Sequence, residues 1–138
     1  MGVLMGWQRT KQKKPAGIRT HALAAVTGCY IMLISAYGFS DFPGVKDPAR
    51  LAAQFVTGIG FLGAGVIWKM ESGNIRGLTT AVIVYITAMF GLGLGLGEYM
   101  PTFIAVGVAV IAMNLTPLLV KLKVIEYDDE AARKNDIE

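Results

Sequence analysis

Few side chains in this sequence could do chemistry, and the most suggestive of them gather around residues 47–54. Asp47, Arg50 and Gln54 recur at i, i+3 and i+7, so on a helix they share one face and run about one turn into an uncharged stretch. Ionisable groups beside an apolar stretch usually face a protein interior. Such a face could form a polar entrance that binds a cation or a partner. Capping explains the same residues differently, because aspartate is a favoured N-cap and Pro48 suits the first helical position. A second polar group, Arg19, Thr20 and His21, stands where another apolar run begins and reads as an interfacial anchor. His21 could titrate near neutral pH, but a lone histidine makes no metal site. Asn114 and Thr116 precede Pro117, which frees a backbone carbonyl; they satisfy that kink locally or contact a solute. Thr79 and Thr80 cap a helix or bond to a neighbouring one.

Gly58-Ile-Gly60-Phe-Leu-Gly63 matches the dinucleotide fingerprint letter for letter. That fingerprint requires a preceding strand, a helix opening after it and an acid about 20 residues further on, whereas this stretch lies inside an uncharged run. Close helix packing through small residues explains it better, as in Gly60-x-x-x-Ala64. Gly91-x-x-x-Gly95 repeats the device. The sharper alternative is a glycine-lined helix break that exposes carbonyls to a solute. No nucleophile–base pair, carboxylate pair, phosphate loop or metal-ligand cluster is visible, so the sequence predicts no enzyme, no cofactor and no metal centre. Cys29, mid-run and without a partner, reads as a packed apolar residue.

The elements that must position these residues follow from composition. The 138 residues are 54% hydrophobic and only 17% charged, against about 25% charged in soluble domains. Mean hydropathy is +0.51. The chain is too apolar to be disordered, and a single cysteine excludes a disulfide framework. The net charge of +3 is explained by a membrane flank rather than nucleic acid, because Arg9, Lys11, Lys13, Lys14 and Arg19 adjoin the first apolar run. A bilayer core takes about 20 apolar residues of helix. Residues 22–39, 51–68, 78–97 and 102–120 meet that requirement, which predicts an all-α, polytopic membrane bundle with four transmembrane helices and antiparallel neighbours. A cleaved signal peptide over residues 1–39 is disfavoured, since the apolar run exceeds an h-region and residues 36–38 make a poor cleavage site.

Residues 1–120 are expected to form the membrane domain. Within it, residues 1–8 look like the end of an earlier helix and 9–21 form a basic cytoplasmic segment. Residues 121–138 are expected to be a charged cytoplasmic tail. Lys69 and Arg76 in one loop, and Lys121, Lys123, Arg133 and Lys134 in the tail, share the side of the basic N-terminal segment. Lys46 and Arg50 alone mark the other side. By the positive-inside rule the C-terminus is cytoplasmic.

Three blocks resemble the MgtC/SapB family of bacterial inner-membrane proteins. They are Lys14-Pro-Ala-Gly-Ile-Arg-Thr-His-Ala-Leu23, the run from Asp47-Pro-Ala-Arg50 through Gly58-Ile-Gly60 to Ile67, and Gly77-Leu-Thr-Thr-Ala81. The likeness covers residues 2 to 115 in order and spacing. Arg19, Thr20, Arg50, Gln54, Gly58, Gly60, Gly63, Gly65, Gly77 and Thr79 fall on positions recurrent in that family, and Asp47 matches its functionally required aspartate. The resemblance implies a non-enzymatic regulator linked to magnesium limitation and survival inside macrophages, acting on another membrane complex such as the F-type ATP synthase. Magnesium or small-solute transport is the alternative, and it would require a homo-oligomer because each chain offers one well-placed carboxylate. A packing subunit without a site is the third possibility. Where many members carry Gly-x-Glu-Arg, this chain has Gly6-Trp-Gln8-Arg9, and the first family helix is present only as its end.

Overall fold

The computed structural model describes residues 2–44, 47–71 and 73–121. The described elements are α1 (Gly2–Lys11), α2 (Ile18–Tyr37), α3 (Arg50–Ala64), a hairpin of β1 (Trp68–Lys69) and β2 (Ile75–Arg76), α4 (Leu78–Leu96) and α5 (Tyr99–Lys121). They fall into two units, Met1–Ala105 and Val106–Glu138.

The first unit is organised by glycines on α2 and α4. A Cβ on Gly91 would run into the Ala25 carbonyl, one on Gly95 into that of Cys29, and one on Gly28 into that of Ala88. Because 25 faces 91 and 29 faces 95, the two helices run parallel with their backbones in contact. Missing side chains are what permit this approach, and dispersion between the backbones then holds it. The chain returns between them along α3, whose Ile59 is buried with Ala24 and Ala88 and flanked by Phe55 and Met89. Gly63 of α3 lies in ordinary contact with Ala81. In front of this core, α1 lies antiparallel on the start of α2, with Gly2 against His21 and Gly6 against Ile18. Met5 is buried in the seam. The corner between α1 and α2 is fastened by Thr10, whose Oγ1 accepts the Ile18 N–H at 2.9 Å.

The expected bundle of four transmembrane helices is not what forms. Five helices are described, and two of them are long and apolar enough to cross a membrane: Ile18–Tyr37 and Leu78–Leu96. The run 51–68 fails because α3 stops at Ala64. Gly65 ends it, its N–H bonding back to the Phe61 carbonyl at 2.9 Å, and Trp68 and Lys69 then pair antiparallel with Arg76 and Ile75. Its 15 helical residues reach only about 22 Å at 1.5 Å per residue, short of about 30 Å of hydrocarbon. Val66 and Ile67 lie in the turn that follows α3, and Trp68 opens a two-residue strand of the hairpin. The run 102–120 lies within the 23-residue α5, whose described stretch Tyr99–Leu115 counts among the shorter apolar helices rather than the spans.

The second unit is described only as the remainder of α5. There Asn114 Nδ2 donates to the Val110 carbonyl at 2.7 Å, one turn back in its own helix. The expectations for the Thr116 and Pro117 side chains, for Lys46 and for the tail beyond residue 121 lie outside what is described.

Three glycine substitutions separate close contact from open helix. Gly91→Ala and Gly95→Ala are each expected to destabilise the purified protein by about 1–3 kcal/mol through forced overpacking. Gly60→Ala, where a Cβ meets nothing within 4 Å, is expected to be neutral or to stabilise by up to about 1 kcal/mol through helix propensity. Thermal unfolding in detergent measures both.

Candidate functional site

Where α2 ends and the chain turns into α3, a cavity of about 460 Å³ opens. Ser35, Phe39 and Phe42 line one side of it, and Asp47, Pro48 and Arg50 the other. Its shape is held by the backbone of the turn. Ser35 Oγ donates to the Pro48 carbonyl at 2.6 Å, tying the last turns of α2 to the approach of α3. Asp47 Oδ1 accepts the Ala49 N–H at 2.9 Å, and the Asp47 carbonyl accepts the Arg50 N–H at 3.2 Å. This is an aspartate-centred turn that launches the helix two residues later than a simple N-cap would, since the cap position falls on Ala49. One carboxylate oxygen is thereby engaged, and a carboxylate has further acceptor capacity to offer.

Both Asp47 and Arg50 are exposed, so the cavity combines a carboxylate and a guanidinium with the tilted pair Phe39–Phe42, ring centroids 6.1 Å apart. Such a lining can take a polar or charged group carried on an apolar body. Gln54, the third member of the expected face, is exposed but does not line the cavity. Among the described residues no group of three or more His, Cys, Asp or Glu gathers.

The expected interfacial trio divides. Arg19 and Thr20 are exposed, while His21 is 0% exposed and its Nδ1 lies 3.2 Å from Thr87 Oγ1 on α4. The Thr87 hydroxyl donates to the Ile83 carbonyl at 2.7 Å. Its proton is therefore committed, and Nδ1 must be the donor towards it. Near the start of α4 a second buried pair forms, Arg9 Nη2 donating to Thr80 Oγ1. Burial pushes the Arg9 guanidinium down from its ordinary pKa, yet a guanidinium keeps its charge at any physiological pH. Thr79, expected on family grounds, is exposed, and its neighbour Thr80 is the buried one.

Sequence reasoning passed over Thr87 and took Arg9 only as part of a basic flank, whereas Thr80 was read as a cap or a bond to a neighbouring helix, and it is the partner of Arg9 on α1. The spacing of Thr80, Ile83, Val84 and Thr87, at i, i+3, i+4 and i+7, was a signal for one buried face. Arg9 carried no such signal, because its burial depends on α1 docking.

The glycines also divide. Gly58 and Gly60 face open space within the chain, whereas Gly91 and Gly95 touch α2. Gly77 has φ +93° at the head of α4, and a Cβ there would strike the Val66 carbonyl. Both the left-handed backbone and the missing space make glycine the residue that fits.

Two parallel apolar helices long enough to cross a membrane, in backbone contact and joined by a returning helix, fit a multi-pass membrane protein. The family model described as the MgtC family matches residues 1–122, and the chain belongs to the MgtC/SapB family. YhiD of Escherichia coli K12, a candidate magnesium transporter by name, is 43% identical over 99 residues, covering 69% of this chain and 46% of its own length. SapB of Bacillus subtilis 168 is 34% identical over 125 residues, 88% of this chain and 54% of the relative. MgtC of Salmonella typhimurium is 43% identical over 99 residues, 72% of this chain and 40% of the relative. The chain spans about half the length of these curated relatives. No solved structure matches it. Family membership and the two long apolar helices together support a multi-pass protein of the inner membrane, and membership carries the non-enzymatic assignment.

The His21–Thr87 contact makes a direct expectation. Thr87→Val keeps the shape but leaves a buried imidazole donor unpaired, which costs about 1–3 kcal/mol. Thr79→Val, at an exposed position, is expected to change the unfolding temperature little. Parallel melts of the two variants in detergent provide the comparison.

Proposed function

We propose that this chain is a non-enzymatic regulator tied to magnesium homeostasis and stress survival. In this reading it engages another membrane complex, such as the F-type ATP synthase, at the end of the molecule that carries Asp47. The observation that supports it is the placement of Asp47 and Arg50 together on the wall of an open cavity beside two phenylalanines. A partner segment presenting a charged group beside an apolar one would meet complementary chemistry there. The exposed face of α3, with Gln54, Gly58 and Gly60, adjoins the cavity along the same helix and offers a surface for helix-to-helix contact. In this proposal the N-terminal ends of α2 and α4 face the cytoplasm, because the basic segments preceding them lie at one end of two parallel helices, and a cytoplasmic C-terminus further requires α5 to return to that side.

Transport is the second reading, favoured by the name of the Escherichia coli relative and by a carboxylate at a cavity wall. Magnesium keeps several waters and prefers carboxylates, and one cavity carboxylate per chain makes this reading depend on a homo-oligomer in the lipid bilayer. Protein-dependent magnesium entry into proteoliposomes would establish transport in place of regulation alone.

Asp47→Asn isolates the charge, because the amide oxygen can still accept the Ala49 N–H that shapes the turn. With the gene deleted and either form restored at matched membrane abundance, the wild type is expected to rescue growth under magnesium limitation and the variant to fail. Equal rescue would reduce Asp47 to a fastener of the turn and remove the cavity from the proposal.

A further inference from the structure

The opposite end of the molecule holds an electrostatic imbalance that the regulator reading does not use. Arg9 is 7% exposed. Among the described residues its guanidinium reaches the Thr80 hydroxyl in the first turn of α4, while its buried Nε has no partner. No described carboxylate compensates it. Asp41 and Asp47 lie beyond the far end of α2, Glu98 follows the C-terminus of α4, and Glu71 is exposed in the hairpin.

The guanidinium also sits at the wrong pole for a cation. A helix N-terminus carries partial positive charge, and α4 begins at Gly77 with no side-chain cap on its first-turn N–H groups. Exposed Lys11, Lys13, Lys14 and Arg19 add positive charge along the adjoining segment. A buried charge without a counter-charge is costly, whereas an oxyanion at this corner would satisfy both the guanidinium and the helix terminus. Arginine presents N–H groups in a fork that matches phosphate oxygens, and helix N-termini bind the same group through backbone N–H. The corner lies at the N-terminal ends of both long apolar helices. In a bilayer that is the level of the lipid phosphates, where basic pockets between helices take anionic headgroups.

We infer that Arg9 and the first turn of α4 form a binding site for a phosphate group, supplied by an anionic phospholipid headgroup or by free phosphate. The site is separate from the Asp47 cavity and stands or falls independently of it.

The test uses the full chain, purified and delipidated in a neutral maltoside detergent. Inorganic phosphate is one probe, and phosphatidylglycerol against phosphatidylcholine in nanodiscs is the other, with unfolding temperature and bound phosphorus per chain as readouts. Saturable uptake approaching one phosphorus per chain, with a raised unfolding temperature, is expected from at least one probe. A response to phosphatidylglycerol alone assigns a lipid headgroup, and a response to both assigns the phosphate group itself. Arg9→Gln, which can still bond to Thr80, is expected to weaken that binding by about tenfold or more, while Lys11→Gln, which removes only an exposed charge alongside, weakens it far less. If Arg9→Gln does not fold, Thr80→Val, which frees the guanidinium from its anchor, must weaken the saturable uptake. No response to either probe, uptake that does not saturate, or equal loss in Lys11→Gln would each overturn the site.

Discussion

The architecture depends on how closely α2 and α4 approach. Gly28, Gly91 and Gly95 remove the side chains that would otherwise separate the two backbones, so the helices lock in one register and in parallel. Two consecutive long helices can be parallel only if the chain travels back between them, and that task falls to α3 and its hairpin. With the register set at Ala25–Gly91 and Cys29–Gly95, His21 is brought level with Thr87 and the start of α4 meets α1. The same contact leaves the C-terminal end of α2 free to meet the approach to α3, where Ser35 and Pro48 close one side of the cavity.

Polar chemistry is consequently sorted by depth and by end. At one end Asp47 and Arg50 are exposed and shape a turn. At the other, Arg9 and His21 are withdrawn from solvent and held by threonine hydroxyls of α4. Threonine suits that duty inside an apolar helix, because its hydroxyl can bond to the preceding turn, as Thr87 does to Ile83, and still accept from a neighbour.

Much of this was legible in the residues themselves. Leu78 to Leu96 is an uncharged, mostly apolar run with Gly91 and Gly95 four residues apart, and both its length and its contact stripe follow from those facts. The Asp47-Pro-Ala-Arg50 grammar located the start of α3, although it misassigned the cap by two positions. The end of α3 was not legible, because hydropathy registers the apolarity of Val66, Ile67 and Trp68 without registering that their backbone leaves the helix. Gly65 caps the helix at that departure, whereas Gly63 packs against Ala81. Nor could Arg9 be recognised as buried, since its environment is created by α1 folding back on α2, a tertiary event with no local periodicity. The split between His21 and its neighbours Arg19 and Thr20 has the same origin, for only the side facing α4 is covered.

Parallel alignment of α2 and α4 has an electrical consequence. Their macrodipoles point the same way, and the shorter α1 and α3, lying antiparallel, offset them only in part. The positive pole coincides with the basic residues before α2 and around the hairpin, and the negative pole with Asp41, Asp47 and Glu98. α1 to α4 therefore leave a net dipole along the two long helices. Each charge carried through a full transmembrane field changes the energy by about 2.3 kcal/mol per 100 mV, so the membrane potential acts directly on such a dipole.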